Sequence, residues 1–249
     1  FGFVICISFL GSSLVFGGCA MSGATPAYEA GLAVQYANVQ RVLDGKCTSC
    51  HTGADAARGL RLDSWQALIA GSDHGEAVIP FDAARSLLVE LTTKLVGGPH
   101  PAEVGGETLN DADVALLSEW IDEGAPSESG EIPFADAQHL LYAANQSVAV
   151  VSVIDMETNQ VIRTVDFQKY GLQENASPHH IAVEPDGSHW YVSLIAAIQI
   201  LKFDRNNGLV ERIDFVRPGL LALDSDGESL YAARSMAAAS SVPSSRWSS

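Results

Sequence analysis

Two hydrophobic periods divide the chain. From about Tyr28 to Ala125 the apolar positions recur at helical spacing, and Val34, Val39, Val42 and Leu43 fall roughly on one face. Residues Asp111 to Glu123 set Val114, Leu116, Leu117, Trp120 and Ile121 on a second apolar face. Asn110 or Asp111 offers the N-cap there, Gly124 a C-cap, and Pro126 a stop just beyond. Trp65 to Ala70 and Arg85 to Leu95 predict shorter helices, joined by Gly-rich loops such as GGPHPAEVGG. The pattern predicts a small all-α domain over residues 28–127.

The stretch GAPSESGEIPFADA, Gly124 to Ala137, has the Pro, Gly and Ser content of a linker, set at 128–137. After it the period falls to two. Leu140 to Tyr142, Val148 to Ile154, Val161 to Val165, Ile181 to Val183 and Trp190 to Leu194 predict short strands, separated by turns such as PDG and RNNG. Within this region Ile181–Ser193 aligns without gaps onto Leu221–Ala233, 40 residues on, sharing Ala182/Ala222, Asp186/Asp226, Gly187/Gly227 and Tyr191/Tyr231. Ser152–Phe167 and Ile200–Phe215 resemble each other more loosely. A repeat of about 40 residues built from short strands has the spacing of β-propeller blades. Residues 138–235 supply two to three blades, against about 4 to 8 in a closed propeller. The fold class expected is therefore multidomain, an all-α region followed by an incomplete all-β propeller region. A small stand-alone sandwich is the competing architecture, and residues 236–249 are expected to be a disordered tail.

The chemistry is concentrated in Cys47-Thr48-Ser49-Cys50-His51. C-x-x-C-H is the attachment pattern of a c-type haem, in which each thiol forms a thioether and the adjacent imidazole reaches the iron. A thioredoxin-like C-x-x-C would stand beside a βαβ pattern, which this sequence lacks. A structural zinc site needs about four Cys or His ligands, and the other two cysteines, Cys6 and Cys19, lie near the chain's start. One covalent haem c is the expected cofactor.

Composition adds a compartment and a kind of partner. Phe1 to Phe16 is an apolar run followed by Gly17, Gly18, Cys19 and Ala20, the form of a secretory leader over residues 1–20. FGGCA also has the outline of a lipoprotein box, which would place a lipid anchor on Cys19. Export agrees with the haem motif, since haem is attached to such motifs outside the cytoplasm. The expected location is periplasmic, or membrane-anchored on the outer side. A formal net charge of −16 argues against nucleic acid and anionic membrane surfaces, and suits a basic redox partner.

The ordered motifs CTSCHTG, GLRLDSWQALIAGSDHGEAVIPFDAARSLLVELTT and LNDADVALLSEWIDEGAP resemble the planctomycete-type cytochrome c domain. The later segments YAANQSVAVVSVIDMETNQVIRTV and SPHHIAVEPDG resemble YVTN-type propeller repeats. The first resemblance bears on the sixth ligand. Electron-carrying cytochromes commonly pair His with Met, but Met21, Met156 and Met236 all fall outside the haem region. In related domains a Met-Pro step often lies in the loop before the last helix. Here that loop holds His100-Pro101, so His100 is the implied distal ligand, with His74 as the alternative and an open or water-bound iron as the third. Of the other histidines, the His179-His180 pair is a weak metal candidate, and His139 and His189 mark strand edges.

These readings converge on an exported electron-transfer cytochrome with Cys47, Cys50, His51 and His100 at its haem and the propeller as scaffold or partner-binding module. It reads more readily as a carrier than as a catalyst. Two other functions fit the same residues. One is an oxidoreductase whose propeller holds an active site fed by the haem. The other is a binding module in which haem is only structural.

Overall fold

The computed structural model describes residues 34–94, 100–234 and 245–248. The leader at 1–20 and the anchor candidate Cys19 lie outside the described residues. Of the 236–249 tail only 245–248 is described, as a strand rather than irregular chain. No helix among the described residues is long and apolar enough to cross a membrane.

The first region is helical. α1 (Tyr36–Lys46), α2 (Trp65–Ile69), α3 (Leu87–Lys94) and α4 (Asp111–Asp122) are joined by loops containing short 3₁₀ turns. Helical spacing brings Val39 and Leu43 from α1, Leu68 from α2, Leu88 and Val89 from α3, and Leu117, Trp120 and Ile121 from α4 into one core. Val42 and Val114, expected on apolar faces, are only half-buried. Tyr36 packs on Trp120 with ring centroids 5.7 Å apart.

α4 has the ends its sequence predicted. Asn110 is the N-cap, and its side chain accepts the Asp113 N–H while the Asp113 carboxylate accepts the Asn110 N–H. At the other end, Ala125 N–H donates to the Trp120 carbonyl and Gly124 N–H to that of Ile121. That pairing is a Schellman turn, and Gly124 sits at φ 104° as the turn requires. The expected helix at Arg85–Leu95 is instead divided into a 3₁₀ turn, Ala83–Arg85, and α3. The cause is Ser86, fully buried, whose hydroxyl bonds the Asp82 carbonyl and the Ile79 backbone, so the chain cannot run straight through.

The second region holds antiparallel sheets in succession. β1 (Leu140–Asn145), β2 (Val150–Asp155) and β3 (Gln160–Asp166) form the first. β4 (Pro178–Val183), β5 (His189–Leu194), β6 (Gln199–Asp204) and β7 (Leu209–Asp214) form the second, and β8 (Pro218–Leu223), β9 (Ser229–Arg234) and β10 (Ser245–Ser248) the third. The sequence repeat is a structural one. β4–β5 and β8–β9 share a register irregularity just after Pro178 and Pro218. The β2–β3 and β6–β7 hairpins each carry a bulge near the turn, opposite Val153/Ile154 and Lys202/Phe203. β4 neighbours both β1 and β8. Between the first two sheets lies a core in which Trp190 stacks on Phe203 at 4.5 Å. Serial sheets of this kind are consistent with a propeller-like region.

The segment expected as a linker is folded. Trp65 donates its indole N–H to the Ala125 carbonyl and Trp120 donates to that of Pro126, each at 2.9 Å. Beyond them Phe134 packs against the core of the sheets.

Candidate functional site

Cys47, Cys50 and His51 occupy the turn that ends α1. Cys47 and Thr48 both donate to the Leu43 carbonyl, and Cys50 and His51 both donate to that of Cys47. Residues at i, i+3 and i+4 of such a turn lie on one side, so the two thiols and the imidazole are presented together. Cys47 packs half-buried against the helical core and Cys50 is exposed. Burial pushes the Cys47 thiol up to about 11, with the Lys46 ammonium opposing it.

His51 is held by the loop that follows. Leu62 N–H donates to the His51 carbonyl at 2.8 Å, and the ring Nδ1 lies 3.2 Å from the Leu60 carbonyl. A carbonyl only accepts, so Nδ1 carries the proton and Nε2 presents its lone pair. That is how metal-ligating histidines are commonly oriented.

His100 begins the loop before α4. Its N–H donates to the Leu91 carbonyl of α3 at 2.9 Å. The 3₁₀ turn Ala102–Val104 folds the loop back on itself, and Gly106 packs so closely on Pro101 that a Cβ there would lie 2.7 Å from its ring. The consequence is that the rings of His51 and His100 come together, 49 positions apart in sequence, with centroids 6.0 Å apart and planes at 64°. The separation lies within the range of an edge-to-face ring pair, about 4.5–7 Å.

His74, the alternative distal ligand, is exposed at the turn closed by Ser72 and Gly75. Met156 is exposed beyond β2. Each sheet histidine has its own separate partner: His139 with Glu157, His179 with Gln146, His180 with the Leu221 N–H, and His189 with Glu184. Among the described residues no group of three or more His, Cys, Asp or Glu side chains is placed to hold a bare metal ion. Cys47, Cys50, His51 and His100 are the residues here that would hold a haem.

Two residues at this site were not singled out from sequence. Lys46, beside Cys47, forms an ion pair with Glu107 in the His100 loop. The charge of Lys46 was visible, but its partner 61 positions away had no local signal.

Residues 47–97 match the model of the family described as Planctomycete cytochrome C. No curated protein matches the chain significantly. Among solved structures, Kuenenia stuttgartiensis hydrazine synthase is similar at 24% identity, over 39% of this chain and 26% of that one, with a TM-score of 0.34. The crystal structure of RRP9 WD40 repeats is similar at 14% identity, over 37% of this chain and 28% of that one, with a TM-score of 0.33. The match with each therefore spans little more than a quarter of its length. The family match places Cys47, Cys50 and His51 in a cytochrome-c-like segment.

Proposed function

We propose that the protein is an exported electron carrier holding one covalent haem c. In this reading residues 28–127 are the haem domain, 128–137 join it to the sheets, and 138–235 are part of a propeller that serves as scaffold or docking module. Cys47 and Cys50 would hold the haem by thioethers, and His51 and His100 would ligate its iron. When bound, the haem supplies a one-electron couple. The chain's own part is to orient His51 through the Leu60 carbonyl, hold His100 opposite it, and pack Cys47 against the helical core.

The observation that carries this reading is the placement of the His100 ring against the His51 ring at 6.0 Å. Two imidazoles give a lower reduction potential than His and Met, because Met ligation raises it. Export beyond the cytoplasm, to the periplasm or to an anchor at Cys19, follows from the assembly of such motifs. The acidity of the chain suits a partner with a basic docking face.

The test uses the full chain produced with haem attachment. Haem should stay with the polypeptide under denaturing conditions, and Cys47→Ser with Cys50→Ser should release it. His100→Ala should convert a low-spin spectrum to high-spin and raise the potential. Haem that dissociates on denaturation would overturn covalent attachment, and a low-spin spectrum unchanged in His100→Ala would overturn the distal assignment.

A further inference from the structure

We propose that Lys46 and Glu107 are positioning residues, and that their ion pair latches the His100 loop to the Cys47–His51 turn and thereby sets how readily the distal imidazole leaves the iron. The inference rests on reading His51 and His100 as the axial pair. It goes beyond that reading by naming what holds the pair together.

The described part of the loop, from His100 onward, is anchored at two points. At its start, His100 N–H donates to the Leu91 carbonyl. At its far end, Leu109 packs on the helical core and Asn110 caps α4. Between these anchors Val104 to Thr108 is exposed, so the span facing the haem motif has little buried surface of its own. The Lys46–Glu107 pair is the side-chain contact that ties this span to the last residue of α1. Its two ends differ in exposure. Lys46 is fixed at the helix end with its side chain 17% exposed, whereas the Glu107 side chain is 76% exposed. The pair joins a helix end on the Cys47 side to an exposed loop position on the His100 side. Next to Glu107, Gly106 N–H donates to the Pro101 carbonyl at 2.9 Å and closes the loop's own turn.

Carbon monoxide binding to the ferrous haem of the full chain reads the latch directly, because the gas must wait for the distal ligand to leave. Exposed ion pairs are individually weak, so Glu107→Gln and Lys46→Met are expected to speed uptake by about fivefold. Raising the salt concentration should speed uptake in the unmodified protein and leave Glu107→Gln unchanged. Lys46→Arg should remain close to the unmodified rate, and the reversed pair Lys46→Glu with Glu107→Lys should restore slow uptake. If Glu107→Gln and Lys46→Met bind at the unmodified rate while His100→Ala binds faster, the latch is refuted and the axial pair stands. If His100→Ala is itself no faster and keeps its spectrum, the axial reading fails and the latch with it.

Discussion

At the scale of single residues, a hydrogen bond on one side of an imidazole fixes which ring nitrogen is left facing the other way. His51 shows this through its Nδ1 contact with Leu60. Glu184 shows the opposite case, a charged group whose surroundings are wholly internal. Burial pushes its carboxyl up, but donors from Ser188, Tyr191, His189 and Lys202 outweigh burial and bring it down to about 2. Both hydroxyls and the His189 ring lie within 2.7 Å of it. Its counterpart in the next repeat, Asp224, is likewise lowered, first by the N–H of Ser229. A carboxyl depressed on folding stabilises the fold above its unfolded pKa, and that stability is lost as pH falls through the folded value. Glu184→Gln should therefore cost about 2 kcal/mol at neutral pH and flatten the decline in stability between the ordinary carboxylate range and pH of about 2. Urea titrations of both proteins across that range would check it. Parallel declines would mean that Glu184 is not the group responsible.

At the scale of elements, what could be read from sequence was what neighbours in sequence decide. The ends of α4 were legible because the Asn110–Asp113 box and the Gly124 turn act within a few residues. Asn110→Ala should cost about 1 kcal/mol by leaving helix N–H groups uncapped, and lower the melting midpoint by about 2–4 °C. A midpoint unmoved in thermal unfolding followed by circular dichroism would remove the cap from the account. Strand positions were legible for the same reason, because alternation and the PDG turns are local signals. The break at Ser86 was not, since it depends on a hydroxyl turned back into the core. Nor was the folding of residues 124–137, where the indoles of Trp65 and Trp120 reach carbonyls that composition assigns to a spacer. The candidate site divides along the same line. Cys47, Cys50 and His51 declare themselves in five consecutive residues. His100 was reached only through a family likeness, and the ion pair of Lys46 with Glu107 was not reached at all.

At the scale of the whole molecule, the described part of the chain from Val34 forms one compact unit, and the joint between helices and sheets explains how. β3 is an edge strand of the first sheet, and the helical region covers its exposed backbone. Glu76 accepts the Val161 N–H at 3.3 Å, and Gln160 donates to the Ala70 carbonyl at 2.6 Å. Gly71 at φ 81° lets that side chain pass, since a Cβ there would lie 2.6 Å from the Gln160 amide. Covering an edge in this way protects it from pairing with other chains. Beside it Arg85 bridges Asp82 at 3.0 Å and Asp166 at 2.8 Å, and the Thr164 hydroxyl also donates to Asp82. Arg163 completes the joint by lying 4.7 Å over the Phe81 ring. The Asp82 side chain is only 4% exposed. Removing Arg85 therefore strands a buried carboxylate, a loss of about 3 kcal/mol where partners are deeply buried and less here because Arg85 is 33% exposed. Arg85→Met should accordingly uncouple the two regions. In the unmodified protein the haem absorbance and the sheet's circular dichroism should change together on heating; in Arg85→Met they should separate into two transitions. Arg85→Met with Asp82→Asn should lose less than the two single changes added, because the stranded charge is then absent. Coincident transitions in Arg85→Met would show that the apolar contacts alone hold the joint, and that the ionic bridge is incidental to it.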